Sequence, residues 1–158
     1  MHIPMQVDYG VRALVDLAIH EQEGSVRMAD IADRQGIPPP YLAQLLNTLS
    51  KKGVISSRRG PTGGHSLAMN PSDITMGLIM THLGNSSSLM TCFVDIDSCI
   101  QSSRCGQRTI WRRVEAAISK VLDSTTIADL IAVHMPTNLH GLPSVDQTDF
   151  ETTGTGAR

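Results

Sequence analysis

Residues 28–64 read MADIADRQGIPPPYLAQLLNTLSKKGVISSRRGPTGG, and the order of signals in this stretch decides the fold. Residues 28–35 predict a short helix with Ile31 and Ala32 turned inward, and Gly36 supplies the permissive backbone at which a helix can stop and the chain can turn. Pro38-Pro39-Pro40 cannot continue a helix, but the last of the three can open one. Leu42, Leu45, Leu46 and Leu49 then repeat on one face until Lys51-Lys52-Gly53 closes the run. Beyond it, residues 54–57 and 66–69 are short strand candidates flanking a Gly/Pro-rich connection that carries Arg58 and Arg59. The predicted order is helix, tight turn, helix, basic hairpin: a winged helix-turn-helix.

Working outward, Val11, Leu14, Val15 and Ala18 recur at helical spacing, which predicts a helix over about residues 8–21, with Asp8 at its start and Gly24 beyond its end. A capped helix is expected from Ser72, carrying Ile74, Leu78, Ile79 and Leu83, before a polar linker of Gly84, Asn85 and three serines. Past the last cysteine, Ile110, Val114, Ala117 and Val121 repeat at alternating four- and three-residue steps beside Trp111, Ile118 and Leu122. That is enough apolar surface to pack against a partner helix, so it is read as a dimerisation helix. Residues 127–133 add a short helix. Residues 135–158 are rich in Pro, Gly, Thr and Asp with one aromatic, and are expected to form a disordered tail. The fold class is therefore mainly α, a winged helix-turn-helix with a long C-terminal dimerisation helix. Its expected divisions are a DNA-binding domain over 1–84, a cysteine loop over 85–107, the dimerisation helix and the short helix after it over 108–134, and a tail over 135–158. No internal repeat is visible.

A net charge of −2 over 158 residues argues against bulk attraction to nucleic acid. The charge is uneven, however. Lys51, Lys52, Arg58 and Arg59 share a stretch without acids, and Arg104, Arg108, Arg112 and Arg113 form another. In a winged helix-turn-helix the second helix enters the major groove and the hairpin reaches phosphate or minor groove. Tyr41, Gln44, Asn47 and Thr48 stand on the outward face of that helix, with Lys51 at its end. Gln and Asn make paired hydrogen bonds to adenine, whereas Tyr and Thr more often contact phosphate, so Gln44 is the expected base reader and Tyr41 a positioning residue.

All three cysteines, Cys92, Cys99 and Cys105, lie within fourteen positions, with six and five residues between them. The odd count and the lack of a leader or an apolar run of membrane-spanning length point to the reducing cytoplasm, where clustered thiols serve as metal ligands or redox groups. Their polar neighbours and irregular spacing do not resemble a core stripe. Iron–sulfur clusters and zinc are both usually held by four side chains, so three thiolates leave one position open. Of the histidines, His65 in the wing and His82 on the fourth helix are the rival candidates for the open position, and Asp8 by default caps its helix. The chain lacks a nucleophile motif, a phosphate-cradling glycine loop and paired catalytic carboxylates, which sets enzymes aside; a small iron–sulfur redox enzyme is the weakest alternative.

The segment 8–18 (DYGVRALVDLA), the stretch 41–46 (YLAQLL), the wing 58–64 (RRGPTGG) and the three cysteines together resemble the IscR/NsrR/RirA-type (Rrf family) winged-helix regulators of bacteria, over about residues 1–133. The resemblance implies a cytoplasmic homodimer, crossed by its long C-terminal helix, that binds a palindromic operator as a repressor and carries one iron–sulfur cluster per subunit. Gain, loss or reaction of the cluster would then change DNA affinity. The IscR branch supplies a histidine three residues after its last cysteine, and Arg108 stands there in this chain. The nitric-oxide-sensing NsrR branch resembles it better: there an aspartate near the start of the first helix, contributed by the other subunit, completes a 4Fe–4S cluster, and Asp8 occupies the matching place. A 2Fe–2S cluster is the alternative cofactor. RirA-type iron sensors also use three cysteines, so the signal is nitric oxide, iron or redox state. The competing expectation is a regulator whose cysteines hold zinc or sense oxidants directly by thiol chemistry.

Overall fold

A computed structural model describes residues 3–60, 63–84, 91–101 and 104–134. The polar linker over 85–90 and the expected tail over 135–158 lie outside the described residues. Helix α1 (Met5–Ile19) begins earlier than the sequence pattern predicts, because Pro4, at φ −60°, turns the chain into the helix and its carbonyl accepts from the amides of Val7 and Asp8. Asp8 therefore sits within the first turn rather than capping it. The buried line of α1 is Val7, Gly10, Ala13, Leu14, Asp16 and Leu17, while Val11, Val15 and Ala18 pack at its edge. At Gly10 the Leu83 side chain lies directly on the α1 backbone, and a methyl group added there would collide with it.

Helix α2 (Met28–Gln35) ends at Gly36, whose left-handed backbone (φ 63°, ψ 34°) turns the chain into α3 (Pro39–Lys51). Leu42, Leu45, Leu46 and Leu49 of α3 are all buried, as their spacing predicts, against Leu14, Leu17, Ile31 and Ile55 in one core. The hairpin that follows is shifted from its predicted limits: β1 is Ile55–Arg58 and β2 is Gly64–Leu67, antiparallel, with Ser57 opposite His65. The shift follows from a backbone pair between Val26 and His65, each amide donating to the other's carbonyl at 2.8 Å, which draws β2 back toward the α1–α2 connection. Gly63 is required at the turn, where any Cβ would meet the backbone of Arg58 and Arg59.

The expected cap at Ser72 is corrected. Asn70 instead caps a single turn over Pro71–Asp73, accepting from the Ser72 amide at 2.9 Å, and α4 (Met76–Leu83) is capped by the Thr75 hydroxyl, which accepts from Leu78 at 3.1 Å. The segment before the long helix holds a one-turn α5 (Thr91–Val94) and a further turn over Ile96–Ser98. Helix α6 (Gly106–Ser124) then runs for 19 residues without one buried side chain. Its C-terminal end is fastened to the start of α4: the Met76 amide donates to Thr125 and the Ile127 amide to Ile74, at 2.8 and 2.9 Å. Helix α7 (Ile127–His134) follows, and fully buried Ile127 joins the core there.

Candidate nucleic-acid interface and cysteine segment

Helix α3 presents one exposed arc, Pro40, Ala43, Gln44, Asn47 and Lys51, at the i, i+3, i+4, i+7 spacing of a single helix face. Arg58 and Arg59 on the hairpin are exposed as well. Gln44 and Asn47 thus turn their side-chain amides to solvent. Tyr41 and Thr48 stand at the margin. The Tyr41 ring meets Tyr9 of α1 edge-to-face at 5.5 Å, and the Thr48 hydroxyl donates to the Gln44 carbonyl at 3.0 Å, so each is partly committed within the fold. These two side chains border a groove shared with Gln6, His82 and Leu83.

A second groove separates α3 from the hairpin and brings together Met28, Asn47, Ser50, Ser57, Arg59 and His65. The Ser57 hydroxyl lies 3.0 Å from His65 Nδ1 and donates weakly to Ser50 Oγ at 3.5 Å. Burial pushes the His65 ring below the ordinary histidine range, so it is neutral at pH 7. Ser50, Ser57 and His65 were not recognisable as partners from the sequence, since their meeting depends on the cross-strand register.

Every cysteine is a free thiol: Cys92 and Cys105 are half-buried and Cys99 is exposed. Cys92 lies on α5, Cys99 follows the turn over Ile96–Ser98, and Cys105 immediately precedes α6. The guanidinium of Arg112 stacks over Phe93 at 5.7 Å, holding the residue beside Cys92 against α6. The first turn of α6 carries no acid, and exposed Arg104, Arg112 and Arg113 add positive charge to that end. Among the described residues no three His, Cys, Asp or Glu side chains converge as a metal-holding group, so the three thiols share a segment without meeting at one point. His65 and His82 lie beside α3, on the hairpin and on α4. Asp8 is exposed on α1 and pairs with Arg12 at 2.9 Å. No helix among the described residues is long and apolar enough to cross a membrane.

A family model described as an iron-dependent transcriptional regulator, Rrf2, matches residues 3–133. The chain belongs to the Rrf2 family of transcription regulators. It is 38% identical over 123 residues to the HTH-type transcriptional regulator IscR of Aliivibrio salmonicida, covering 78% of this chain and 73% of that protein. Its identity to the IscR of Serratia proteamaculans is 38% over 131 residues, 83% of this chain and 79% of the relative. Among solved structures, the T. potens IscR matches at a TM-score of 0.69 and 36% identity, covering 85% of this chain and 89% of that one. CymR, described as the global cysteine regulator of B. subtilis, matches at 0.73 and 30% identity over 84% and 98%. These Rrf2 relatives are regulators rather than enzymes, and the mainly helical winged-helix architecture expected from residues 28–64 is shared with them.

Proposed function

We propose that this Rrf2 protein is a homodimeric repressor that binds a palindromic operator and is controlled by an iron–sulfur cluster, one per subunit. The observation that carries the reading is the position of the three free thiols, on the one segment joining the DNA-reading unit to α6 with its exposed apolar stripe. The donor set fits such a group: three reduced, accessible sulfurs beside arginines and a helix N-terminus. Cys92, Cys99 and Cys105 would hold it, with Asp8 of the partner subunit as the fourth ligand, the set expected for a 4Fe–4S cluster. When bound, a cluster of this kind supplies iron that reacts with nitric oxide or oxygen and is lost when iron is scarce.

The chain's own residues supply the rest. Arg58, Arg59 and Lys51 neutralise backbone phosphates, Gln44 and Asn47 read base edges, and Tyr41 and Thr48 fix the pose of α3. Ile110, Trp111, Val114 and Val121 of α6, 55%, 42%, 36% and 63% exposed, form the stripe that a second α6 would cover. Because α6 begins just after Cys105 and ends against α4, a change at the cysteines is transmitted to the dimer axis through one continuous helix.

The exposure of Cys99 favours a second reading, direct thiol oxidation or zinc binding without iron. An absorption spectrum of anaerobically purified protein, with iron and sulfide analysis, separates the two. A brown protein with charge-transfer bands and stoichiometric sulfide supports the cluster; a colourless one sinks it.

A further inference from the structure

The groove between α3 and the hairpin has no role in the reading above beyond Arg59 and Asn47. We propose that His65 and Ser57, with Arg59, form a proton-linked seat for a backbone phosphate of bound duplex DNA, the imidazole taking up one proton as the phosphate arrives. The inference rests on the DNA-binding reading and adds two residues and a pH dependence to it.

The groove sets Ala43 and Leu46 of α3 beside its polar side chains, and it is one-signed in charge. Helix α3 contributes Asn47 and Ser50, α2 contributes Met28, and the hairpin contributes Ser57, His65 and Arg59. Among the described residues lining it, Arg59 is the single charged side chain and no carboxylate is present. It is continuous with the exposed arc of α3 through Asn47, so a strand followed by that arc passes over it. A phosphodiester is the anion such a surface meets on duplex DNA.

The hydrogen bonding makes the seat sensitive to protons. In the neutral ring, Nδ1 and the Ser57 hydroxyl share one hydrogen bond at 3.0 Å. One proton taken from solvent gives an imidazolium in which both nitrogens donate. Nδ1–H then donates to Ser57 Oγ, Nε2–H is available to one phosphate oxygen, and the Ser57 hydroxyl turns its proton from the weak bond to Ser50 toward another. Without the anion, burial opposes this charge, and the ring stays neutral. A phosphate beside it reverses that balance, so DNA binding and proton uptake are coupled and each favours the other.

The test is duplex binding by the full chain, by fluorescence anisotropy, with an unrelated duplex at low salt between about pH 6 and 8. Wild-type affinity should rise as pH falls, by up to about tenfold per pH unit for each seat engaged. His65→Gln, which keeps a polar partner for Ser57, should bind with a flat pH profile and an unchanged melting temperature. Arg59→Ala should bind more weakly at every pH yet keep the slope. Should His65→Gln fail to fold, Ser57→Ala is expected to reduce the slope in its place. NMR titration of the His65 ring should show its pKa rising when duplex is added, and rising less with inorganic phosphate alone. DNA binding with no pH slope, or a slope retained in His65→Gln, overturns the assignment of His65 alone. An equal response to inorganic phosphate overturns the duplex as the occupant. A wild type that binds no duplex overturns the DNA-binding reading itself.

Discussion

Asp16 on α1 and Arg34 on α2 form a bidentate ion pair, with Nε donating to Oδ1 at 2.9 Å and Nη2 to Oδ2 at 2.7 Å. Gln35 adds a third bond to Oδ1 at 3.0 Å, and Asp16 is only 1% exposed. A carboxylate this buried persists only because its lone pairs are filled. The pair fixes α2 against α1. Since Gly36 carries α2 directly into α3, the same pair sets the pose of α3.

Burial alone would raise the Asp16 pKa, but the bonds from Arg34 and Gln35 and the charges of Arg34 and His20 together hold it below its ordinary 3.8. For a carboxyl with a depressed folded-state pKa, the stabilisation is fully present above the unfolded value and is lost as pH falls through the folded one. Asp16→Asn should therefore destabilise the chain by about 2–3 kcal/mol at neutral pH, at or just below the range of about 3–5 kcal/mol for broken buried pairs because Arg34 is partly solvated. It should also flatten the loss of stability below about pH 4. Urea denaturation across this pH range checks both, and a variant as stable as wild type at pH 7 would show the pair to be dispensable.

On DNA, Arg59→Ala is expected to weaken binding to all sequences and to lower the salt slope by about one, the counterion that its guanidinium releases from a phosphate. Gln44→Ala should instead relax preference at one base pair per half-site, by about 1–3 kcal/mol. Anisotropy titrations at several salt concentrations, with operators altered one pair at a time, distinguish the two. Unchanged binding in both variants would remove this surface from the interface.

What the sequence showed of this fold depended on period. The α3 leucines were legible because a four-residue face repeats undisturbed between Pro40 and Lys51, and Gly36 was legible because a helix stop followed by a proline run permits few other readings. Asp16 was not, because a charged residue on α1 reads as solvent-facing, although its place between Ala13 and Leu17 puts it on the buried line. The hairpin register was missed for a different reason. It is set by the distant Val26–His65 pair, and with it went the meeting of Ser57 with His65. The cysteines were legible as a cluster of donors, yet nothing in a single chain states which fourth group completes them.

A charge on the α6 stripe tests the dimer without touching the core. Because α6 has no buried residue within the chain, Val114→Glu or Val121→Glu should leave the melting of the protomer nearly unchanged. A carboxylate forced into an apolar seam costs several kcal/mol, so dimer affinity should fall by about a hundredfold or more and operator binding with it. Sedimentation at micromolar concentration gives the answer; a dimer that survives both substitutions places the interface elsewhere.

The cysteine segment makes the sharpest prediction. Any one Cys→Ser change at Cys92, Cys99 or Cys105 should abolish the iron–sulfur absorption, because two remaining sulfurs and one carboxylate cannot retain the cluster against solvent. Asp8 should behave differently. Its exposed pair with Arg12 is worth only about 0.3–0.5 kcal/mol, so the carboxylate is surrendered to another partner at small cost, and its loss leaves the fold intact. An oxygen donor is also a weaker ligand to iron than thiolate, which makes this corner the expected point of attack. Asp8→Ala is therefore predicted to keep the dimer and the iron content while shifting the spectrum and changing the rate of reaction with nitric oxide or oxygen. Stopped-flow absorption under anaerobic conditions measures that rate directly. An Asp8→Ala protein with the spectrum and kinetics of wild type would mean that a different residue holds the fourth iron.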